Sequence, residues 1–116
     1  IEPDTHLPDY TTYRNFLSSS KGEWSIAKNG YVRSRSGWFS CRSACYLAAG
    51  KPVVVQDTGW SDYLPSGKGV IAFNTPQEAA CALDEISANY QQHSEAARAY
   101  AEKHFDAAKV CAELLE

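Results

Sequence analysis

The stretch Lys28–Gly59, KNGYVRSRSGWFSCRSACYLAAGKPVVVQDTG, decides the fold. A polar loop, Ser34-Arg35-Ser36-Gly37, runs through Trp38-Phe39 to Ser40, which is placed to cap the N-terminus of a helix. The helix carries Ala44, Cys45, Leu47, Ala48 and Ala49, and Gly50 is the residue type that ends one in a left-handed turn. Lys51-Pro52 then opens Val53-Val54-Val55, a continuous apolar run suited to a strand covered on both faces. Gln56-Asp57-Thr58-Gly59 supplies turn chemistry at that strand's carboxyl end, where open α/β sheets bind ligands.

Charge singles out the same stretch. No acidic residue falls between Glu23 and Asp57, whereas Lys28, Arg33, Arg35, Arg42 and Lys51 do. The stretch carries +5, leaving −8 for the rest of a chain whose net charge is −3. A positive island around a helix N-terminus suits an anion, because free backbone N–H groups and the helix dipole both favour phosphate. The alternative is a solvated loop whose arginines pair with acids elsewhere on the surface.

Outward from there, Asp9 can cap a helix with Tyr10, Tyr13, Phe16 and Leu17 on its apolar face. Trp24-Ser25-Ile26-Ala27 alternates as a short strand does, and Asn29-Gly30 reads as a turn, with Tyr31-Val32 left open. Beyond the stretch, Trp60–Lys68 reads as a loop and Val70–Phe73 as a third strand. Thr75-Pro76-Gln77-Glu78 combines an N-cap, a proline at the first helical position and a glutamate at the third. The helix it starts places Ala79, Leu83, Ile86 and Tyr90 on one face. A further helix from about Ser94 carries Ala97, Tyr100, Ala101 and Phe105, and Asp106 caps a last one with Val110, Cys111, Leu114 and Leu115. The pattern predicts an α/β fold: a small parallel sheet of about three strands flanked by helices, with C-terminal helices.

The length of 116 residues allows one domain, and seven Tyr, four Phe and three Trp supply a modest core. Residues 1–8 read as a linker or leader, and 9–116 as the domain. No segment reaches the apolar length of a membrane span, and the acidic balance argues against a nucleic-acid module. The chain contains no methionine and starts at Ile1, which gives the expectation of a piece trimmed from something longer. The four cysteines offer no metal framework: Cys41 and Cys45 share a helix face, but Cys81 and Cys111 are remote. Buried free thiols in a reducing cytoplasm are the expectation, with no metal and no cofactor. His6, His93 and His104 form no catalytic spacing; the last two are expected to flank the penultimate helix, and Asp57 and Asp62 to cap turns.

Ser20–Lys28, Ser36–Ser40, Arg42–Gly59, Gly69–Phe73 and Thr75–Ala80 together resemble the C-terminal, nucleotide-binding half of GT-B fold glycosyltransferases, nearest to bacterial family 1 and family 4 enzymes. The resemblance covers the chain from about Tyr13 onward. It implies a partial Rossmann-like unit, a donor-binding portion that holds the diphosphate of a nucleotide-sugar, with Gly37, Trp38, Phe39, Ser40 and Arg42 as the residues inheriting that role. Lys28, Arg35, Asp57 and Thr58 are accessory candidates, and no residue is assigned a catalytic role. Family 4 enzymes usually carry two glutamates eight positions apart around this loop; Gly37 and Cys45 stand there instead. The part that would bind the acceptor is also missing, so the chain is expected to be inactive alone. A second expectation is a non-catalytic module that self-associates as a homodimer, since a short parallel sheet leaves an open edge.

Overall fold

Buried on both faces, Val53–Gln56 forms the central strand of a three-stranded parallel sheet in the computed structural model, which describes residues 9–115. The expected leader, residues 1–8, lies outside the described residues. The elements run α1 (Tyr10–Ser19), β1 (Glu23–Ser25), α2 (Asn29–Arg33), α3 (Cys41–Ala48), β2 (Val53–Gln56), a 3-10 turn (Trp60–Asp62), β3 (Val70–Phe73), α4 (Pro76–Ala88), α5 (Tyr90–His104) and α6 (Ala107–Leu115). The strand order is β1-β2-β3, with Trp24 opposite Val54 and Val54 opposite Ile71. This is the expected α/β class.

The alternation of strand side chains sorts the helices into two layers. Val53, Val55 and Val70 point toward Leu17 of α1, Tyr46 and Leu47 of α3, and Ala97 and Ala101 of α5. Val54 and Phe73 point the other way, onto Ala79, Ala82 and Ile86 of α4. A three-valine run is therefore buried at every position because each face has its own cover.

Local signals set most helix ends. The Asp9, Ser40 and Thr75 side chains accept from the amides of Thr12 (2.8 Å), Arg42 (3.1 Å) and Glu78 (3.2 Å). Gly50, at φ +74°, closes α3 in a Schellman turn, with Lys51 N–H donating to the Tyr46 carbonyl at 2.9 Å and Gly50 N–H to that of Leu47 at 2.9 Å. α5 then covers the same end: Ser94 Oγ donates to the Gly50 carbonyl at 2.7 Å, and Arg98 donates to that of Ala48.

Several expectations are corrected. β1 is Glu23–Ser25, so Ile26 and Ala27 lie past its end, where Ala27 N–H donates to Gln56 Oε1 at 3.0 Å. Asn29-Gly30 is the first turn of α2, not a loop, because Tyr31 and Val32 both donate back to the Lys28 carbonyl. α5 starts at Tyr90, not Ser94, so Tyr90 reaches the Ile86 cluster from the next helix. Leu83 is partly exposed, and Ala82 takes the buried position instead. All four cysteines are free and exposed, not buried. The 3-10 turn buries Trp60 to 1 % in the core, inside a segment that reads as a loop.

His93 is likewise buried inside α5, where Nδ1 accepts from Gly69 N–H at 3.0 Å. That bond puts the ring proton on Nε2, which faces Glu85 Oε1 at 3.4 Å. Gly69 itself adopts φ +87°, and a Cβ there would meet the backbone nitrogen of Ala97 at 2.6 Å. Gly69→Ala is therefore expected to destabilise by about 2–5 kcal/mol, from left-handed strain plus overpacking. Gly30→Ala, in open space on α2, is expected to be neutral or to stabilise by up to about 1 kcal/mol. Urea unfolding of the two variants beside the parent checks both signs.

Candidate functional site

The loop before α3 is shaped by two left-handed residues, Arg35 (φ +53°) and Gly37 (φ +78°), and pinned from below by Thr58. The Thr58 hydroxyl donates to the Trp38 carbonyl at 2.7 Å, while its own carbonyl accepts from Gly37 N–H at 2.9 Å. This two-point clamp fixes Trp38 and Phe39 pointing in opposite directions. Phe39 turns inward against Trp60 (ring centroids 5.2 Å apart) and Phe105 (5.7 Å). Trp38 turns outward, remains 48 % exposed and stacks on Tyr31 with centroids 5.3 Å apart.

Between this stack and the carboxyl ends of β1 and β2 lies a groove of about 290 Å³. Lys28, Tyr31, Trp38, Ser40 and Arg42 line it, over a floor that includes Ser25 and Val55. The N-terminus of α3 opens here. Arg42 N–H is satisfied by Ser40, but the first-turn amides of Cys41 and Ser43 have no intrahelical acceptor. Lys28 is exposed and makes no ion pair or side-chain hydrogen bond among the described residues.

Arg42 does not bring uncompensated charge. Its Nε donates to Glu23 Oε2, and Ser43 Oγ donates to Glu23 Oε1. The hydrogen bond to Glu23 raises the guanidinium further above its already high value. The Glu23 carboxylate is 6 % exposed, whereas the Arg42 side chain is 53 % exposed.

Four of the nine residues singled out in the sequence, Lys28, Trp38, Ser40 and Arg42, thus meet in one groove. The others lie elsewhere. Gly37 backs onto Tyr63, Phe39 is part of the core, and Arg35 pairs with Asp62 at 3.2 Å on the surface. Asp57 and Thr58 hold the loops beneath the groove. Of the two positions where family 4 enzymes carry glutamate, Cys45 lines a separate cavity between α1 and α3. Reading the sequence missed Tyr31, one helical turn past Lys28, and Glu23, the last acid before the basic stretch.

A slightly larger cavity, about 330 Å³, lies on the α4 side of the sheet, lined mainly by Pro52, Val54, Leu83, Ile86 and Tyr90. Its lining is mostly apolar; it includes Glu23 but none of the nine residues singled out as ligand candidates in the sequence. Among the described residues no three His, Cys, Asp or Glu side chains converge as metal ligands, and no helix is long and apolar enough to cross a membrane.

An open parallel sheet with a basic, aromatic groove at its carboxyl rim is the layout of an α/β ligand-binding domain. A family model described as glycosyl transferase-like matches residues 3–116, and the chain belongs to that family. No curated protein and no solved structure matches the chain.

Asp57 is the groove's support on the β2 side. Burial works to raise its carboxyl, but hydrogen bonds from Ser61 Oγ (2.6 Å) and Gly59 N–H (2.8 Å) outweigh that and hold it below the ordinary value. A depressed folded-state pKa contributes stability above the unfolded value, about 3.9, and that contribution is lost as pH falls through the folded one. Asp57→Ala is expected to cost about 1–3 kcal/mol at pH 7 and to flatten the acid side of the stability curve. Thermal unfolding from pH 7 down to pH 3 measures both effects; an unchanged acid limb would contradict them.

Proposed function

We propose that this chain is the donor-binding portion of a glycosyltransferase and that the carboxyl-rim groove receives a nucleotide-diphospho-sugar. The observation that carries this reading is a convergence: the Ser40-capped start of α3, the unpaired Lys28 and the exposed Tyr31–Trp38 stack all border one groove. Membership of a glycosyl transferase-like family supports it. Amides and an ammonium are donors suited to phosphate oxygens, and an exposed aromatic face is suited to a base.

In the parent reaction the bond between the sugar carbon and the diphosphate oxygen breaks, and the acceptor oxygen takes the sugar. The groove's part is to stabilise charge on the departing diphosphate with donors already in place. No residue is assigned as the base that deprotonates an acceptor, and the chain alone is proposed to bind without turnover.

Amide-resolved NMR with UDP, GDP and ADP tests this reading. Shifts are expected at Lys28, Tyr31, Trp38 and Cys41–Ser43, with concurrent quenching of Trp38 fluorescence. No perturbation of these residues at millimolar nucleotide overturns it.

A second reading, self-association, is favoured by the open edge of β1, where Trp24 is 53 % exposed and Ile26, just past the strand's end, 69 %. β1 is only three residues long, which limits how much pairing it can support. Sedimentation equilibrium decides: a dimer that dissociates on Trp24→Lys is the expected outcome for this reading, and a monomer at high micromolar concentration removes it.

A further inference from the structure

We infer that Glu23 is a positioning residue that aims Arg42 at the phosphates of a nucleoside diphosphate; this rests on the donor-binding reading above. Both carboxylate oxygens of Glu23 are engaged, one by Arg42 Nε and the other by Ser43 Oγ. Ser43 is fully buried and belongs to the first turn of α3, next to Arg42, which lines the groove. One carboxylate, delivered from the start of β1, therefore fixes the arginine and the helix end relative to each other.

The manner of attachment matters as much as its presence. A guanidinium is a rigid plane with five donors, and holding Nε determines where the two terminal nitrogens point. Here only Nε is used by Glu23. The terminal nitrogens have no hydrogen-bond partner among the described residues, and the side chain is half exposed and lines the groove. The pair is close to neutral overall, so its contribution to an anion is directed hydrogen bonding from a pre-set edge, not net attraction. A carboxylate that merely neutralised Arg42 would weaken phosphate binding; one that sets its direction strengthens it by sparing the cost of ordering a long side chain.

Two mild substitutions separate these roles. Glu23→Asp keeps the charge but shortens the reach, so both donors cannot be held at once. Glu23→Gln keeps the reach, offering its carbonyl to Arg42 and its amide to the Ser43 oxygen, but loses the charge. For UDP, followed by NMR titration, positioning predicts about tenfold weaker binding in Glu23→Asp, the value of one charge-assisted hydrogen bond. Glu23→Gln recovers most of that loss. Uridine, which lacks phosphates, is expected to bind both variants as it binds the parent. In an Arg42→Ala background Glu23→Asp is expected to cost nothing further, since Glu23 acts through Arg42.

The inference is overturned if Glu23→Gln binds UDP more tightly than the parent while Glu23→Asp matches it, or if the Glu23→Asp loss persists without Arg42. Parent protein that binds neither UDP nor pyrophosphate at millimolar concentration instead removes the donor-binding reading itself. Circular dichroism on each variant confirms that the fold is intact.

Discussion

A strand with no exposed face constrains everything else in this protein. Val53 and Val54 have no accessible surface, and Val55 retains only 5 %. Each buried valine contributes about 1.5–3 kcal/mol, but only when helices lie on both sides of β2. That requirement places α1, α3 and α5 on one face and α4 on the other. It also fixes where the chain leaves the sheet. Asp57 and Thr58 follow directly from β2, so the clamp on Gly37 and Trp38 and the support under Gly59 inherit their positions from the buried strand.

How legible each element was depends on how far apart its partners lie in the chain. The caps at Asp9, Ser40 and Thr75 use bonds spanning two or three residues, and the Gly50 turn closes on Tyr46 and Leu47. Such signals can be read from a short window. The strands β2 and β3 were also plain, because an apolar run of three or four residues is too short for a helix. Trp60 was not, since it sits among turn residues and is buried by partners distant in the chain, Phe39 among them. His93 was equally opaque: its partner is the Gly69 amide, reached across the packed face of α5. Leu83 followed the helical period correctly but faces the open cavity beside Val54 and Ile86, so it stays partly exposed.

The candidate groove divides along the same line. Lys28, Trp38, Ser40 and Arg42 stood out as basic, aromatic or capping residues in a loop and helix start. What the charge pattern could not give was compensation in space. The stretch between Glu23 and Asp57 contains no acid, yet acids just outside it fold back onto it. Asp62 reaches Arg35 on the surface, where both side chains are more than half exposed and the pair contributes little. Glu23 reaches Arg42 under different terms. Its carboxylate is almost fully buried, so it requires a partner whether or not any ligand is present.

That obligation changes what the groove can recognise. With Arg42 neutralised, the excess positive charge beside the α3 terminus reduces to Lys28 and the partial charges of the helix end. The chain as a whole carries −3, so long-range steering of an anion is weak or adverse. For the proposed donor, affinity then has to come from short-range terms: directed hydrogen bonds from amides and guanidinium, and stacking on the Tyr31–Trp38 face. Such terms depend on geometry far more than on ionic strength. A loop clamped at both its amide and its carbonyl by Thr58, with an arginine held by its Nε, supplies that geometry before a ligand arrives.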